Sequence, residues 1–149
     1  MITLKVKKLR PTALRPVSKY DAAAGFDLSA DLEKDWIQID PGETKLVGTG
    51  LAISVPKRYW AGIYARSGLA TKDGLRPANC VGVIDPDYRG EVMVPIHNDS
   101  KEAKIIFNHD RIAQLILHRR LRVKIKEVLD LDATKKGKKR IWIFRTLKI

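Results

Sequence analysis

NCVGVIDPDYRGEVMV, Asn79 to Val94, is the stretch on which the reading of the fold turns. Val81 to Ile84 is a short apolar run, and Asp85-Pro86-Asp87 then supplies turn chemistry. Tyr88 and Gly90 follow, and the chain returns through Glu91-Val92-Met93-Val94. Strand, turn and returning strand predict a β-hairpin.

The same grammar repeats on both sides. Further strands are expected at 36–39, 45–55, 60–64, 104–107 and 112–118, with the returning strand running over 91–97. Asp40-Pro41-Gly42, Pro56-Lys57, Asp73-Gly74 and Asn98-Asp99-Ser100 separate them. Residues 3–9 alternate in polarity. Residues 121–128, LRVKIKEV, alternate more strictly, with Leu121, Val123 and Ile125 opposite Arg122, Lys124 and Lys126. Period two predicts a strand with one wet face. The one helix expected is a turn or two over Ser67 to Lys72. Many short strands at close spacing predict an all-β sandwich or barrel.

The 149 residues suit one domain, and 44% hydrophobic residues are enough for a packed core. Cys80 is the single cysteine, which excludes a disulfide within the chain and a multi-cysteine metal site. Met1 is followed by the mixed pattern ITLKVKKL, so neither a signal peptide nor a membrane span is expected, and a cytoplasmic location is. The net charge of +12 fits three things: nucleic-acid binding, a site for a small polyanion such as a nucleoside triphosphate, or a solvated basic surface.

Four segments differ from ordinary strand or turn sequence. AAGFDLSA, residues 23–30, sets Asp27 between Phe26 and Leu28, where an aspartate is ordinarily a surface residue. ARSGLATKDG, residues 65–74, puts Arg66, Ser67 and Gly68 where a strand gives way to a helical turn. Free N–H groups, a hydroxyl and a guanidinium there make a phosphate cradle, and the alternative is Ser67 as a simple N-cap. In residues 79–94 a carboxylate at a strand end, Asp85, can act as general base toward water, and Tyr88 can offer a flat face to a sugar. The alternative is an Asp-Pro-Asp turn in which Asp85 caps its own backbone. RIAQLIL, residues 111–117, places Arg111 and Gln114 in an otherwise apolar strand. Buried, they need partners such as phosphate, whereas at an exposed strand end they need none.

In this order and at this spacing the four segments resemble the trimeric dUTP pyrophosphatase (dUTPase) family. The resemblance runs from about Ala23 to Ile116 and takes in PGETKLVGTGLAISVP at 41–56. It implies a distorted jelly-roll β-barrel over residues 1–131, with one short helix, and a basic C-terminal arm over 132–149. It implies homotrimers with active sites between subunits, no membrane association and no call for nucleic acid. The implied reaction is dUTP plus water to dUMP plus pyrophosphate, with Mg²⁺ on the triphosphate and water attacking the α-phosphorus.

Roles follow position by position from the same resemblance. Asp85 holds the deoxyribose 3′-hydroxyl and orients or activates the water. Tyr88 lies under the deoxyribose and leaves no room for a 2′-hydroxyl. Asn79, with the backbone of Val83 and Ile84, reads the uracil edge, and Met93 packs near the base. Arg66, Ser67 and Gly68 cradle phosphates, with Arg111 and Gln114 in support. Asp27 reaches the metal through its waters, which suits an ion that keeps several of them. His97, His109 and His118 match no metal-site spacing and are expected to be structural or superficial. Two other readings stay open: a dCTP deaminase-like relative, and a non-catalytic nucleotide- or nucleic-acid-binding module on the same fold.

The family's fifth motif is a Gly-rich arm, and here the sequence departs from it. Lys136-Gly137-Lys138-Lys139 stands where that motif begins, and RIWIFRT, Arg140 to Thr146, replaces its glycines. A shifted reading frame accounts for this. Codons AGG ATT TGG ATT TTC AGG ACN, read one nucleotide later, give Gly-Phe-Gly-Phe-Ser-Gly. The middle glycine is forced, because tryptophan has the single codon TGG and every isoleucine codon begins with A. A genuinely divergent tail is the alternative.

Overall fold

The computed structural model describes residues 2–132 and 134. Among them are β1 (Lys5–Lys8), β2 (Phe26–Ser29), β3 (Trp36–Ile39), β4 (Thr44–Ser54) and β5 (Tyr59–Tyr64). Then come α1 (Ser67–Lys72), β6 (Leu75–Pro77), β7 (Gly82–Ile84), β8 (Glu91–Asn98), β9 (Lys104–Phe107) and β10 (Arg111–Arg119). The strands form two four-stranded sheets, ordered β1-β4-β8-β6 and β2-β10-β5-β7, and a two-stranded sheet β3-β9. Every pairing is antiparallel. The all-β expectation and the single short helix hold, and α1 spans the residues expected of it.

Alternation builds the core. In β8, Val92, Val94, Ile96 and Asn98 are buried, while Glu91, Met93, Pro95 and His97 face the other way. Leu28, Ile53, Ile63, Ile84, Ala113 and Leu115 meet them in the same buried cluster. The buried Asn98 is fully used: its Nδ2 donates to the Ile39 and Glu102 carbonyls, and its Oδ1 accepts from Ser100. Such satisfaction is what lets a polar amide sit in an apolar interior. No helix among the described residues is long and apolar enough to cross a membrane.

Two strand expectations are corrected. Residues 79–94 do not form a hairpin: β7 pairs with β5 in one sheet, and β8 with β4 and β6 in the other. The six residues 85–90 between them are too many for a two-residue hairpin turn, and they carry the chain across from sheet to sheet. Residues 121–128 form no strand, although the chain there is exposed on both faces of its alternation. A strand needs a neighbour to pair with, and none of the described strands pairs with this segment. Two strands escaped the sequence reading, β2 and β6. The basic arm over 132–149 and its altered glycine motif lie, apart from residues 132 and 134, outside the described residues.

Candidate active site

The outer face of the β2-β10-β5-β7 sheet positions the first group of candidate residues. Asp27 on β2 pairs in register with Gln114 on β10, which pairs in turn with Tyr64 on β5. Immediately beyond β5, Arg66 precedes α1. Its Nε donates to Asp27 Oδ1 at 2.9 Å, and Arg111 Nη1 donates to Asp27 Oδ2 at 3.1 Å. The carboxylate thus gathers two guanidinium groups, and Arg66 is held further by the Arg111 carbonyl. Asp27 is not the ordinary surface residue that its neighbours suggested: its side chain is only 15% exposed.

Arg111 reaches this face through a β-bulge. Residues three apart on a regular strand point to opposite faces. The register of β10 against β2 shifts between Arg111 and Ala113, which brings Arg111 opposite Ser29 and Gln114 opposite Asp27. The extra residue, Ile112, is buried. Bulges commonly re-aim a side chain in this way. Gln114 Nε2 donates to the Ala65 carbonyl and so ties β10 to the entry of α1.

At α1 the N-cap is Arg66, with no side-chain capping bond, and Ser67 is the first helical residue. Ser67 is therefore not a simple N-cap. Its hydroxyl is exposed beside Gly68, where first-turn N–H groups have no intrahelical acceptor. Asp27, Arg66, Ser67, Gly68 and Gln114 line one cleft together with Lys19 and Tyr20, which the sequence reading did not single out. Arg111 joins Arg66 in the adjoining groove.

The second group gathers at the opposite edge of the sheet. Asn79, Val83, Ile84, Tyr88 and Met93 line a cleft between β7 and the start of β8. A tight turn, with the Val81 N–H donating to the Asn79 carbonyl at 2.6 Å, presents Asn79 beside Gly82. Val83, Tyr88 and Met93 are exposed, whereas Ile84 is buried in the core. Tyr88 Oη donates to the Glu91 carbonyl at 2.8 Å, which fixes the phenol at the rim. Asp85 follows β7 directly and is exposed, and its carboxylate does not cap its own turn. That turn is closed instead by the Tyr88 N–H on the Asp85 carbonyl.

The clefts lie near β2 and β7, three strand spacings apart, or roughly 14 Å. Within one chain the structure gathers the residues expected at the phosphates in one region and most of those expected at the nucleoside in another, but does not join the two groups. Among the described residues no three His, Cys, Asp or Glu side chains converge to hold a metal ion. The histidines have structural surroundings. His118 stacks on Trp60 at 4.4 Å and meets Tyr64 Oη. His97 meets Thr44 and Asp99, and His109 meets the Thr12 carbonyl.

Comparison with known proteins gives the family and the fold. The family model described as dUTPase matches residues 13–141. A deoxyuridine 5′-triphosphate nucleotidohydrolase of Nautilia profundicola is 44% identical over 90% of this chain and 92% of its own. One of Finegoldia magna is 42% identical over 88% of this chain and 92% of its own. Among solved structures, a dUTPase of Staphylococcus bacteriophage 80alpha with dUpNHpp is similar in fold, with a TM-score of 0.84 at 24% identity. It covers 95% of this chain and 97% of that one. A phage phi11 dUTPase, described with a structural Mg(II) ion, gives a TM-score of 0.79 at 23% identity over 89% of this chain and 100% of that one. With a family match over most of its length and relatives above two-fifths identity, the chain belongs to the dUTPase family.

Proposed function

We propose that this protein hydrolyses dUTP to dUMP and pyrophosphate, with each site assembled from the phosphate cleft of one subunit and the nucleoside cleft of another in a homotrimer. One observation carries the composite site: the two groups of candidate residues occupy separate clefts of one chain. At about 240 Å³ the nucleoside cleft falls below the room usual for a drug-sized ligand, and at about 340 Å³ the phosphate cleft only just reaches it. Residues 121–128 support assembly. Leu121, Val123 and Ile125 are 81%, 78% and 92% exposed, and such an alternating segment suits strand addition to another copy.

In the nucleoside cleft Asn79 and the backbone of Val83 and Ile84 read the uracil edge, and Met93 packs against the base. Tyr88 lies under the sugar and fills the space of a 2′-hydroxyl. Asp85 holds the 3′-hydroxyl and takes the proton of the attacking water, the work of a general base. Arg66, Ser67, Gly68, Arg111 and Gln114 bind the triphosphate, and the arginines stabilise charge on the leaving pyrophosphate. Asp27 keeps both guanidinium groups aimed.

The residues fit a magnesium ion held mainly by phosphate oxygens and water. Asp27 is the one carboxylate among those lining the phosphate cleft, and Mg²⁺ needs few protein ligands. Asp27 would hold its waters, and the ion, when bound, supplies charge neutralisation on the triphosphate. Binding at fixed salt tests the reading: dUTP is retained and UTP and dTTP are rejected. A nucleic-acid module would instead ignore the base and lose affinity steeply with salt.

A further inference from the structure

We propose that Arg10 is a positioning residue for the nucleoside cleft, acting through Glu91 on Tyr88. Arg10 follows β1, at the far edge of the β1-β4-β8-β6 sheet, and Glu91 opens β8 on the other side of β4. Arg10 Nη2 and Nη1 donate to Glu91 Oε1 and Oε2 at 2.6 and 3.2 Å. Its Nε donates at 2.6 Å to Asp31, whose side chain is fully buried. Planar, two-pronged pairing of this kind fixes orientation as well as charge.

The strand between them is shaped to let the clamp through. The register of β4 against β8 shifts between Gly48 and Ala52, and Gly50 within that shift has φ +65°. A Cβ on Gly50 would lie 2.2 Å from Asp31 Oδ2, and one on Gly48 would lie 2.8 Å from Glu91 Oε1. The Gly50 N–H donates to Glu91 Oε1 at 2.8 Å. The bulge and its two glycines therefore make room for both carboxylates of the clamp, and the Gly50 N–H adds a backbone donor to Glu91.

Glu91 in turn holds the rim of the cleft. Its carbonyl accepts the Tyr88 hydroxyl, and its residue lines the cleft with Met93 two positions on. Arg10 also draws the Glu91 carboxyl below its ordinary range, chiefly through their hydrogen bonds, so the pair is charged at neutral pH. Loss of Arg10 leaves the Glu91 carboxylate on the Gly50 N–H and loosens the carbonyl against which Tyr88 is set. The consequence for sugar selection rests on the reading of this cleft as the nucleoside site.

The experiment uses the full chain as wild type, Arg10→Met, Arg10→Lys and Glu91→Gln, with two readouts. Tyrosine Cζ labelling, assigned through Tyr88→Phe, reports the Tyr88 hydrogen bond by NMR. Kinetics with dUTP and UTP report discrimination. In Arg10→Met the Tyr88 resonance is expected to move toward that of a solvated tyrosine. KM for dUTP should rise and the dUTP-to-UTP preference fall, each about tenfold, the worth of one good hydrogen bond, with kcat nearly unchanged. Arg10→Lys recovers part of both, and Glu91→Gln, which keeps the shape, shows the same loss more mildly. An unmoved Tyr88 resonance in folded Arg10→Met and Glu91→Gln overturns the proposal whatever the substrate. So does a moved resonance with the dUTP-to-UTP preference intact. Wild-type protein that does not distinguish dUTP from UTP refutes the assignment of the cleft instead, while the moved resonance still supports the clamp.

Discussion

Asp27 and Arg111 meet at 3.1 Å because β10 carries one extra residue between Arg111 and Ala113. Without that bulge the guanidinium would point to the core face. Asp27 therefore aims two arginines at once, and the proposed phosphate site depends on it.

Asp27→Asn is expected to lower kcat/KM for dUTP by about 10- to 100-fold, as one or two charge-assisted hydrogen bonds are lost. In a double-mutant cycle with Arg111→Lys the two losses should be far from additive. Additive losses would mean that Asp27 acts apart from Arg111.

Asp85→Asn tests the catalytic assignment. It is expected to cut kcat by about 10²–10⁴-fold, the usual range for a positioned general base, while dUTP still binds. An equal rate in Asp85→Asn would move the proton acceptor elsewhere.

Acid stability should report the Arg10–Glu91 pair. Arg10 holds the Glu91 carboxyl below its ordinary value of 4.5. A depressed carboxylate gives stability that is fully present above its unfolded pKa and is lost as pH falls through its folded pKa. The Tm advantage of wild type over Glu91→Gln should thus be flat near neutral pH and shrink as pH drops below 4.5. Asp99, lowered by Arg76, weakens acid stability in the same direction in both proteins and cancels in the comparison. An advantage that survives undiminished down to about pH 2, well below ordinary carboxylate values, contradicts the pairing.

Assembly should depend on the exposed segment after β10. Light scattering is expected to find the full chain trimeric and a chain ending at Arg120 monomeric and inactive. A trimeric, active truncated chain would assign assembly to the sheet faces alone.

Much of the fold was legible because turn chemistry and alternation are local. Asp40-Pro41-Gly42 and Asn98-Asp99-Ser100 mark strand ends that the structure keeps. Pairing is not local, so Val81 to Val94 read as a hairpin although its halves serve different sheets. Strand β6, Leu75–Pro77, has three residues and a proline, too little for a periodic signal. The candidate residues were singled out through their resemblance to a family. That Arg111 and Gln114 share a face was not legible, since their spacing contradicts period two until the bulge is seen. Arg10 and Glu91 stand 81 positions apart, and neither belongs to a pattern that pairs them. The tail beyond residue 134 lies outside the described residues, and its frame is tested by its codons. Codons over Lys138 to Arg145 that cannot yield glycines one nucleotide later would leave a divergent tail.

The most direct test of the account is pyrophosphate release by the full chain with Mg²⁺ and dUTP, run beside UTP, dTTP and dCTP. The account predicts turnover confined to dUTP, with dUMP as the partner product. Equal turnover of all four, or selective binding of none, would contradict it.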